Sequence, residues 1–383
     1  MSSSWQQVTI KDIAVVDWGN TNLTKKAFVP EGPYLGVSAA GCDGRMGHAE
    51  HKKNTPVLSA IGAQCGRMFL PQEDFTAIKN TITLTPLEGV TDPVFLYYLL
   101  TFVELPQRGA GQPFISKGDI QKFPVPLPPL EEQKRIVAVL DTAFEGLAHA
   151  RAHAEANLQN ARELFENYRE NFLAPSSRQG WSYRKLDALI TIKHGFAFKS
   201  AFFVNEGQYA VLTPGNYYET GGFRDRGEKQ RYYSGEFPSE FLLRKGDLLM
   251  AMTEQAAGLL GSCMIVPEDE GYLHNQRLGL ISSKDGVAWS PEYFSQAFNL
   301  KAFRKGLSDT CSGATVRHTS PGRILTESIP YTDNKAELEA VALHLAEREQ
   351  DCRTLEKAYR EKLQDLDDLR QSLLQKAFVG ELT

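Results

Sequence analysis

The chain has 383 residues, 42% of them hydrophobic and 23% charged, enough for two globular units and far from the compositions of disordered or collagen-like chains. No stretch approaches the ~18 apolar residues of a membrane span, and the N-terminus lacks a basic segment followed by an apolar run, so cytoplasmic residence without membrane contact is expected. The five cysteines (Cys42, Cys65, Cys263, Cys311, Cys352) are scattered and do not cluster with the eight histidines, which argues against a disulfide framework and against a metal site.

The net charge of −5 speaks at first against nucleic acid, because Lys and Arg neutralise phosphates. The charge is unevenly placed, however: residues 1–130 sum to 0, 131–175 to −3, 176–333 to +1 and 334–383 to −3. The acidity therefore lies in two segments, and the other two are free to present basic faces.

In chain order, one set of signals occurs twice. Tyr34-Leu-Gly-Val-Ser-Ala-Ala-Gly41, an aromatic-led strand with a turn, returns as Tyr209-Ala-Val-Leu-Thr-Pro-Gly-Asn216. The strand and glycine loop of residues 57–67 return at 247–261, and the Asn-led strand at Asn80 returns at Asn275. Aromatic runs from Phe95 and Tyr293 follow, read as core helices. Finally Ala110, Ser116, Gly118, Ile120 and Pro126 fall on Ala314, Ser320, Gly322, Ile324 and Pro330 at a constant offset of 204. An ungapped match of this kind indicates internal duplication.

Each copy ends in a helix. After the prolines at 124, 126, 128 and 129, residues 131–173 contain none, and Glu131 and Glu132 sit where a helix dipole favours them. Ile136, Leu140, Ala143, Leu147, Ala150, Ala154, Leu158, Ala161, Phe165, Tyr168 and Phe172 keep the 3/4 spacing of a coiled-coil seam. A second helix opens at Asn334, with Glu337 three residues on as a capping box. It carries Leu338, Val341, Leu345, Cys352, Leu355, Tyr359, Leu366 and Leu373 on a stripe interrupted at Arg348. Each helix is about 65 Å long, and a one-sided helix of that length needs a partner. The nearest partner is the other helix, antiparallel to it.

The chain lacks the [DNS]-P-P-[YFW] string of an amino-methyltransferase, a G-x-x-x-x-G-K-[ST] phosphate loop and a G-x-G-x-x-G dinucleotide turn. Glu268, Asp269 and Glu270 lie in a turn and read as solvated acids rather than a nuclease centre. No catalytic residue is assigned.

The string Phe123-Pro-Val-Pro-Leu-Pro-Pro-Leu-Glu-Glu-Gln-Lys-Arg-Ile136 resembles the boundary between the first target-recognition domain and the central conserved helix in specificity subunits of type I restriction-modification systems. Residues 369–382 are similar to that family's distal ending. Gly246-Asp-Leu-Leu-Met-Ala-Met-Thr253 and His274-Asn-Gln-Arg-Leu-Gly279 look like parts of its recognition domains; the first copy departs, with Asn54-Thr-Pro-Val where Lys-Gly-Asp would stand.

The resemblance implies an α+β molecule of two similar target-recognition domains (1–130 and 176–333), each followed by a long helix (131–175 and 334–383). The two helices would form an antiparallel coiled coil with pseudo-two-fold symmetry. It also implies sequence-specific binding to double-stranded DNA at a bipartite asymmetric site and two methyltransferase subunits as partners, with or without two restriction/translocase subunits. The chain itself would need no cofactor: S-adenosylmethionine would belong to the methyltransferase, and ATP and Mg to a restriction subunit. A coiled-coil adaptor whose globular ends bind proteins, and a subunit of a methylation-only or combined restriction-methylation enzyme, remain alternatives.

Base edges are read by Arg, Asn and Gln, and phosphates by Lys, Arg, Ser and Thr. The DNA-contact candidates in loops of the first copy are Arg45, Gln64, Arg67, Arg108, Gln112 and Lys117. In the second, the glycine-rich stretch 221–233 offers Arg224, Arg226, Lys229, Arg231 and Tyr232, and Thr253, Gln255, Gln276, Arg277, Arg317 and His318 follow by position in the repeat. Asn80 and Asn275 read as turn formers.

Overall fold

A computed structural model describes residues 5–254, 258–269, 271–313 and 316–382. The chain divides into two compact units, Met1–Ala156 with Tyr359–Thr383, and Asn157–Ala358.

The first unit begins with strands β1 (Gln6–Thr9), β2 (Ala14–Trp18), β3 (Tyr34–Ser38), β4 (Gly41–Met46), β5 (Val57–Ser59), β6 (Met68–Phe69), β7 (Phe75–Ala77) and β8 (Thr81–Pro86). Helices α1 (Pro93–Phe102) and α2 (Lys117–Gln121) and strand β9 (Pro124–Leu127) follow, and then helix α3 (Leu130–Leu173). Strands order as β2-β8-β5-β6 in an antiparallel sheet and as β4-β3-β7 in a smaller one, where β3 and β7 run parallel; β1 pairs with β9. Helix α1 starts where Asp92 Oδ1 accepts the Val94 and Phe95 amides at 2.9 and 3.0 Å, with Pro93 in the first turn, where it forfeits no bond. The Phe95 run is core, as read: Phe95, Leu96, Tyr98, Leu99 and Leu100 are buried.

That core is closed by both ends of the helical segments. Ile136 and Leu140 of α3 enter it, as do Leu374, Ala377 and Phe378, residues the sequence stripe had missed. Gln133 is fully buried; its amide accepts Asp92 N (2.8 Å) and donates to Val90 O (3.0 Å) and Pro128 O (2.9 Å), tying the α3 start to the α1 cap.

The second unit has β10 (Ser182–Lys185), α4 (Leu186–Leu189), β11 (Ile190–His194), β12 (Phe203–Val204), β13 (Ala210–Leu212), β14 (Tyr232–Tyr233), β15 (Leu248–Ala251), β16 (Thr253–Glu254), β17 (Cys263–Ile265), β18 (Tyr272–His274) and β19 (Leu278–Ser283). It continues with α5 (Pro291–Ala297), α6 (Lys301–Thr310), β20 (Arg317–His318), α7 (Pro321–Thr326), β21 (Ser328–Tyr331) and α8 (Lys335–Phe378). The antiparallel sheet β11-β19-β15-β17 repeats β2-β8-β5-β6, the parallel pair β13 and β18 repeats β3 and β7, and β10 pairs with β21 as β1 does with β9. The run from Tyr293 is again core, with Tyr293, Phe294, Ala297 and Phe298 fully buried.

The duplication extends to single bonds. Trp5 Nε1 donates to Glu132 Oε1 (3.3 Å), and Trp181 Nε1 donates to Glu337 Oε1 (2.6 Å). A Cβ on Gly19 would meet Ile78 O at 2.6 Å, and one on Gly195 would meet Asn275 O at 2.2 Å, so only glycine lets the chain pass at either place. These equivalences correct one register: Ile78, not Asn80, matches Asn275, and Ala60 N to Asn80 O is repeated by Met252 N to Arg277 O. Both asparagines do shape turns. Asn80 adopts φ 70°, and Asn275 Oδ1 accepts Arg277 N at 3.1 Å.

The helices pair antiparallel within each unit: rising numbers on α3 meet falling numbers on α8. In the first unit Phe144 lies under Arg370 (4.8 Å to the ring) and Arg151 pairs with Asp367; in the second, Arg162 meets Glu356 and the Tyr168 hydroxyl lies 2.6 Å from His344 Nε2. Glu337 does not complete the expected capping box, because its carboxylate is held by Trp181; Asn334 Oδ1 still accepts Glu337 N at 3.3 Å. Leu355, placed on the seam by its spacing, is 41% exposed, and between Tyr359 and Leu366 the stripe runs through Leu363, which is half-buried, while Lys362 is exposed.

Candidate nucleic-acid interface

In the first unit two loops are joined edge to edge. Gly62 N donates to Pro113 O (3.0 Å), Ile115 N to Ala60 O (2.8 Å) and Arg108 N to Phe114 O (2.9 Å). This brings Gln64 and Arg67 beside the loop carrying Arg108, Gln112 and Lys117, all but Lys117 in exposed positions. Arg67 Nη1 donates to Gln64 Oε1 (3.0 Å) and its guanidinium lies over Phe69. Arg108 is paired with Asp119 (2.5 Å) and Lys117 with Asp17 (2.6 Å). Arg45 stands apart on β4 of the three-stranded sheet, paired with Glu73 (2.6 Å).

The second unit builds the same junction. Thr253 and Glu254 of β16 pair with His318 and Arg317 of β20, Thr319 N donates to Met252 O (2.9 Å), and Ser312 and His318 exchange backbone bonds as Arg108 and Phe114 do. Arg317 is drawn inward: Nη1 meets Glu254 Oε1 (3.0 Å), Nη2 donates to Ser308 O and Oγ (both 2.8 Å), and Nε points to Cys311 Sγ (3.0 Å). Glu254, 3% exposed, also accepts the Leu259 and Leu260 amides at 2.9 and 2.8 Å. His318 is exposed and bonds Ser312 Oγ (3.0 Å), and Gln255 lies outside the described residues.

Beside this junction opens a cleft of about 740 Å³, walled in part by Thr213, Arg224, Arg226, Thr253, Glu254 and Arg277. The Arg226 guanidinium packs on Gly215 and its Nη1 is 3.5 Å from Thr213 Oγ1; Arg224 lies over the Tyr218 ring at 6.0 Å. Arg277 and its neighbour Gln276 are exposed, and Lys229 projects from the same loop as Arg231, which is held by Asn205 Oδ1 at 3.0 Å. Tyr232 is half-buried in β14, where it pairs with Ala210 and Val204. Burial pushes the Tyr217 hydroxyl well above its ordinary pKa, so this side chain brings no charge to the cleft.

Sequence reasoning missed the groups that hold this loop. Asn216, fully buried, accepts Thr213 N (3.0 Å) and donates to Gln230 Oε1 (2.7 Å), while Gln230 donates to Val211 O and Arg231 O (both 3.1 Å). Two buried amides thus close the arch that carries Arg224 to Lys229. Among the described residues no group of three His, Cys, Asp or Glu side chains is placed to hold a metal, and no helix is long and apolar enough to cross a membrane.

Residues 2–155 match the sequence family described as type I restriction modification DNA specificity domain. The chain is 22% identical over 339 residues to the type I restriction enzyme MjaVIII specificity subunit of Methanocaldococcus jannaschii, covering 83% of this chain and 73% of that one. It is 24% identical over 382 residues to the StySPI specificity subunit of Salmonella potsdam, covering 94% of this chain and 77% of that one. In fold it is similar to a chain from a solved type I R-M system (TM-score 0.78, 17% identity, 99% and 98% of the two chains covered) and to the HsdS subunit from Thermoanaerobacter tengcongensis (TM-score 0.56, 17% identity, 100% and 98% covered). The family match thus covers residues 2–155, and over most of its length the chain is similar in sequence to specificity subunits of type I restriction-modification systems and shares its fold with solved chains of such systems.

Proposed function

We propose that this chain reads a bipartite, asymmetric site on duplex DNA and positions methyltransferase subunits on it, its own part being recognition and not catalysis. The observation that carries this reading is the repeated junction: in each unit the loop after a central strand is bonded to a second loop just before a short N-capped helix, and the candidate Arg, Gln and Thr side chains cluster on it. One structural unit used twice, with different side chains, suits two different half-sites.

In this reading residues 1–130 and 176–333 are the target-recognition domains, and the helices 131–175 and 334–383 fix the spacing between half-sites. Two methyltransferase subunits bring S-adenosylmethionine. Restriction subunits, where present, bring ATP and Mg.

The test is to co-express the chain with its methyltransferase, purify the assembly and map methylated adenines on random-sequence DNA. The expected result is a split motif with a fixed unspecified gap, of which exchanging residues 1–130 changes one half only. Assembly without any such motif would replace this reading by a protein-binding coiled-coil adaptor.

A further inference from the structure

The two units hold their cations differently. In the first, Arg45, Arg108 and Lys117 each sit 2.5 to 2.6 Å from a carboxylate, of Glu73, Asp119 and Asp17 respectively, and of the candidate cations there Arg67 alone is held by neutral groups, Gln64 and the Phe69 ring. In the second, Arg224 and Arg277 have no carboxylate partner among the described residues, and Arg226 and Arg231 are held by the neutral groups of Thr213 and Asn205. Glu254, on the wall of the same cleft, is engaged by Arg317 and two backbone amides, and Asp225 by the Gly227 amide (2.8 Å), so neither forms an ion pair with Arg224, Arg226 or Arg277; Glu219 is the other carboxylate on the lining.

The difference matters for a polyanion. Binding that releases condensed counterions scales with the net positive charge brought to the phosphates. A cation already joined to a carboxylate brings none until the pair opens, whereas an arginine held by a hydroxyl, an amide or a ring brings its full charge, and its fork matches both phosphate and guanine edges.

We infer that the cleft walled by Arg224, Arg226 and Arg277 is the chain's main electrostatic grip on duplex DNA, taking phosphates and guanine edges, while the first unit's candidate loops bring one such cation, Arg67. This rests on the DNA-reading function proposed above. The first unit then discriminates through Arg67 and neutral groups such as Gln64 and Gln112.

The experiment measures the affinity of the chain, assembled with its methyltransferase subunits, for a fluorescein-labelled random-sequence duplex over a range of KCl concentrations. R224Q/R226Q/R277Q should lower the slope of log K against log salt by about 2 to 3, at about 0.9 per lost phosphate contact. R45Q/R108Q/K117Q should change it by less than about 1, and E73Q/D17N, which frees Arg45 and Lys117, should steepen it. Because a gain cannot come from misfolding, this last variant guards against a merely damaged protein; R277Q alone, at an exposed side chain, guards the other arm.

Equal or larger slope losses from the first-unit variant would overturn the inference and leave DNA reading intact. A slope that no variant in either unit alters would show that this chain does not touch the duplex, and would overturn both.

Discussion

Phe378 sits at the far end of the sequence yet inside the core of the first unit. Its ring lies 5.6 Å from Phe95 in an edge arrangement and 5.4 Å from Phe102 in a stack, and the residue is 6% exposed. Truncating a buried Phe to Ala costs about 3 to 5 kcal/mol, of which each aromatic pair supplies about 0.5 to 1.5. The neighbours Leu374 and Ala377 are fully buried and fixed to the helix, so they limit collapse around the void and favour the upper part of that range. Phe378→Leu keeps most of the volume and should cost less than about 1.5 kcal/mol. Native-state hydrogen exchange with mass spectrometry reads this locally: in Phe378→Ala, amides across residues 95–102 should exchange roughly a hundredfold or more faster in the regime where opening free energy sets the rate. Acceleration below about tenfold at those amides would refute the claim that the last helical turns complete the N-terminal core.

Gln133→Leu removes the partners of Asp92 N, Val90 O and Pro128 O in one step, and should destabilise the first unit by about 2 to 4 kcal/mol in urea unfolding. Trp181→Phe loses the bond to Glu337, whose side chain is a third exposed and rehydrates in part, so about 1 to 3 kcal/mol is expected from the same measurement, with less from the longer bond in Trp5→Phe. His274 is fully buried, bonds Leu278 O through Nε2 at 2.9 Å, and burial lowers its pKa from 6.5 to about 4. The neutral ring is thus favoured by folding: stability from this group is full above pH 6.5 and falls as the unfolded state takes up the proton on going down, the loss reaching about 3 kcal/mol near pH 4. Unfolding free energy measured across pH 4 to 7 should show that decline in the wild type, and a flatter curve in His274→Gln.

How much of the fold could be read beforehand follows from where its information lies. The long helices are written in local spacing, and Leu130–Leu173 is within a residue of the span the missing prolines marked. The duplication is written in order and offset, and the paired Trp-to-Glu bonds show that it reaches single side chains. What local pattern could not show is that each unit closes on chain from both helices. Leu374, Ala377 and Phe378 look like one more heptad, but the surface that buries them comes from α1, far back in the sequence. For the same reason Glu337 reads as half of a capping box until Trp181 is seen to hold it.

The loops were legible as regions because Gly, Gln, Ser and Arg in a turn have few structural uses that would cluster them twice at one place in a repeat. Their charges were not legible, since an ion pair is a fact about two positions. Lys117 and Asp17 are 100 residues apart, Arg45 and Glu73 are 28 apart, and Arg317 turns inward only because Glu254 is buried beside it. Summed by segment, the first unit's globular part is neutral and the second's is +1, a difference too small to assign roles. Resolved into pairs, it separates a surface where Arg45, Arg108 and Lys117 are already answered from one where three arginines without carboxylate partners line a cleft. Net charge is the quantity a sequence reports, but the charge available to a polyanion is what remains after the fold has made its own pairs, and in the second unit's cleft the arginines without carboxylate partners are Arg224, Arg226 and Arg277.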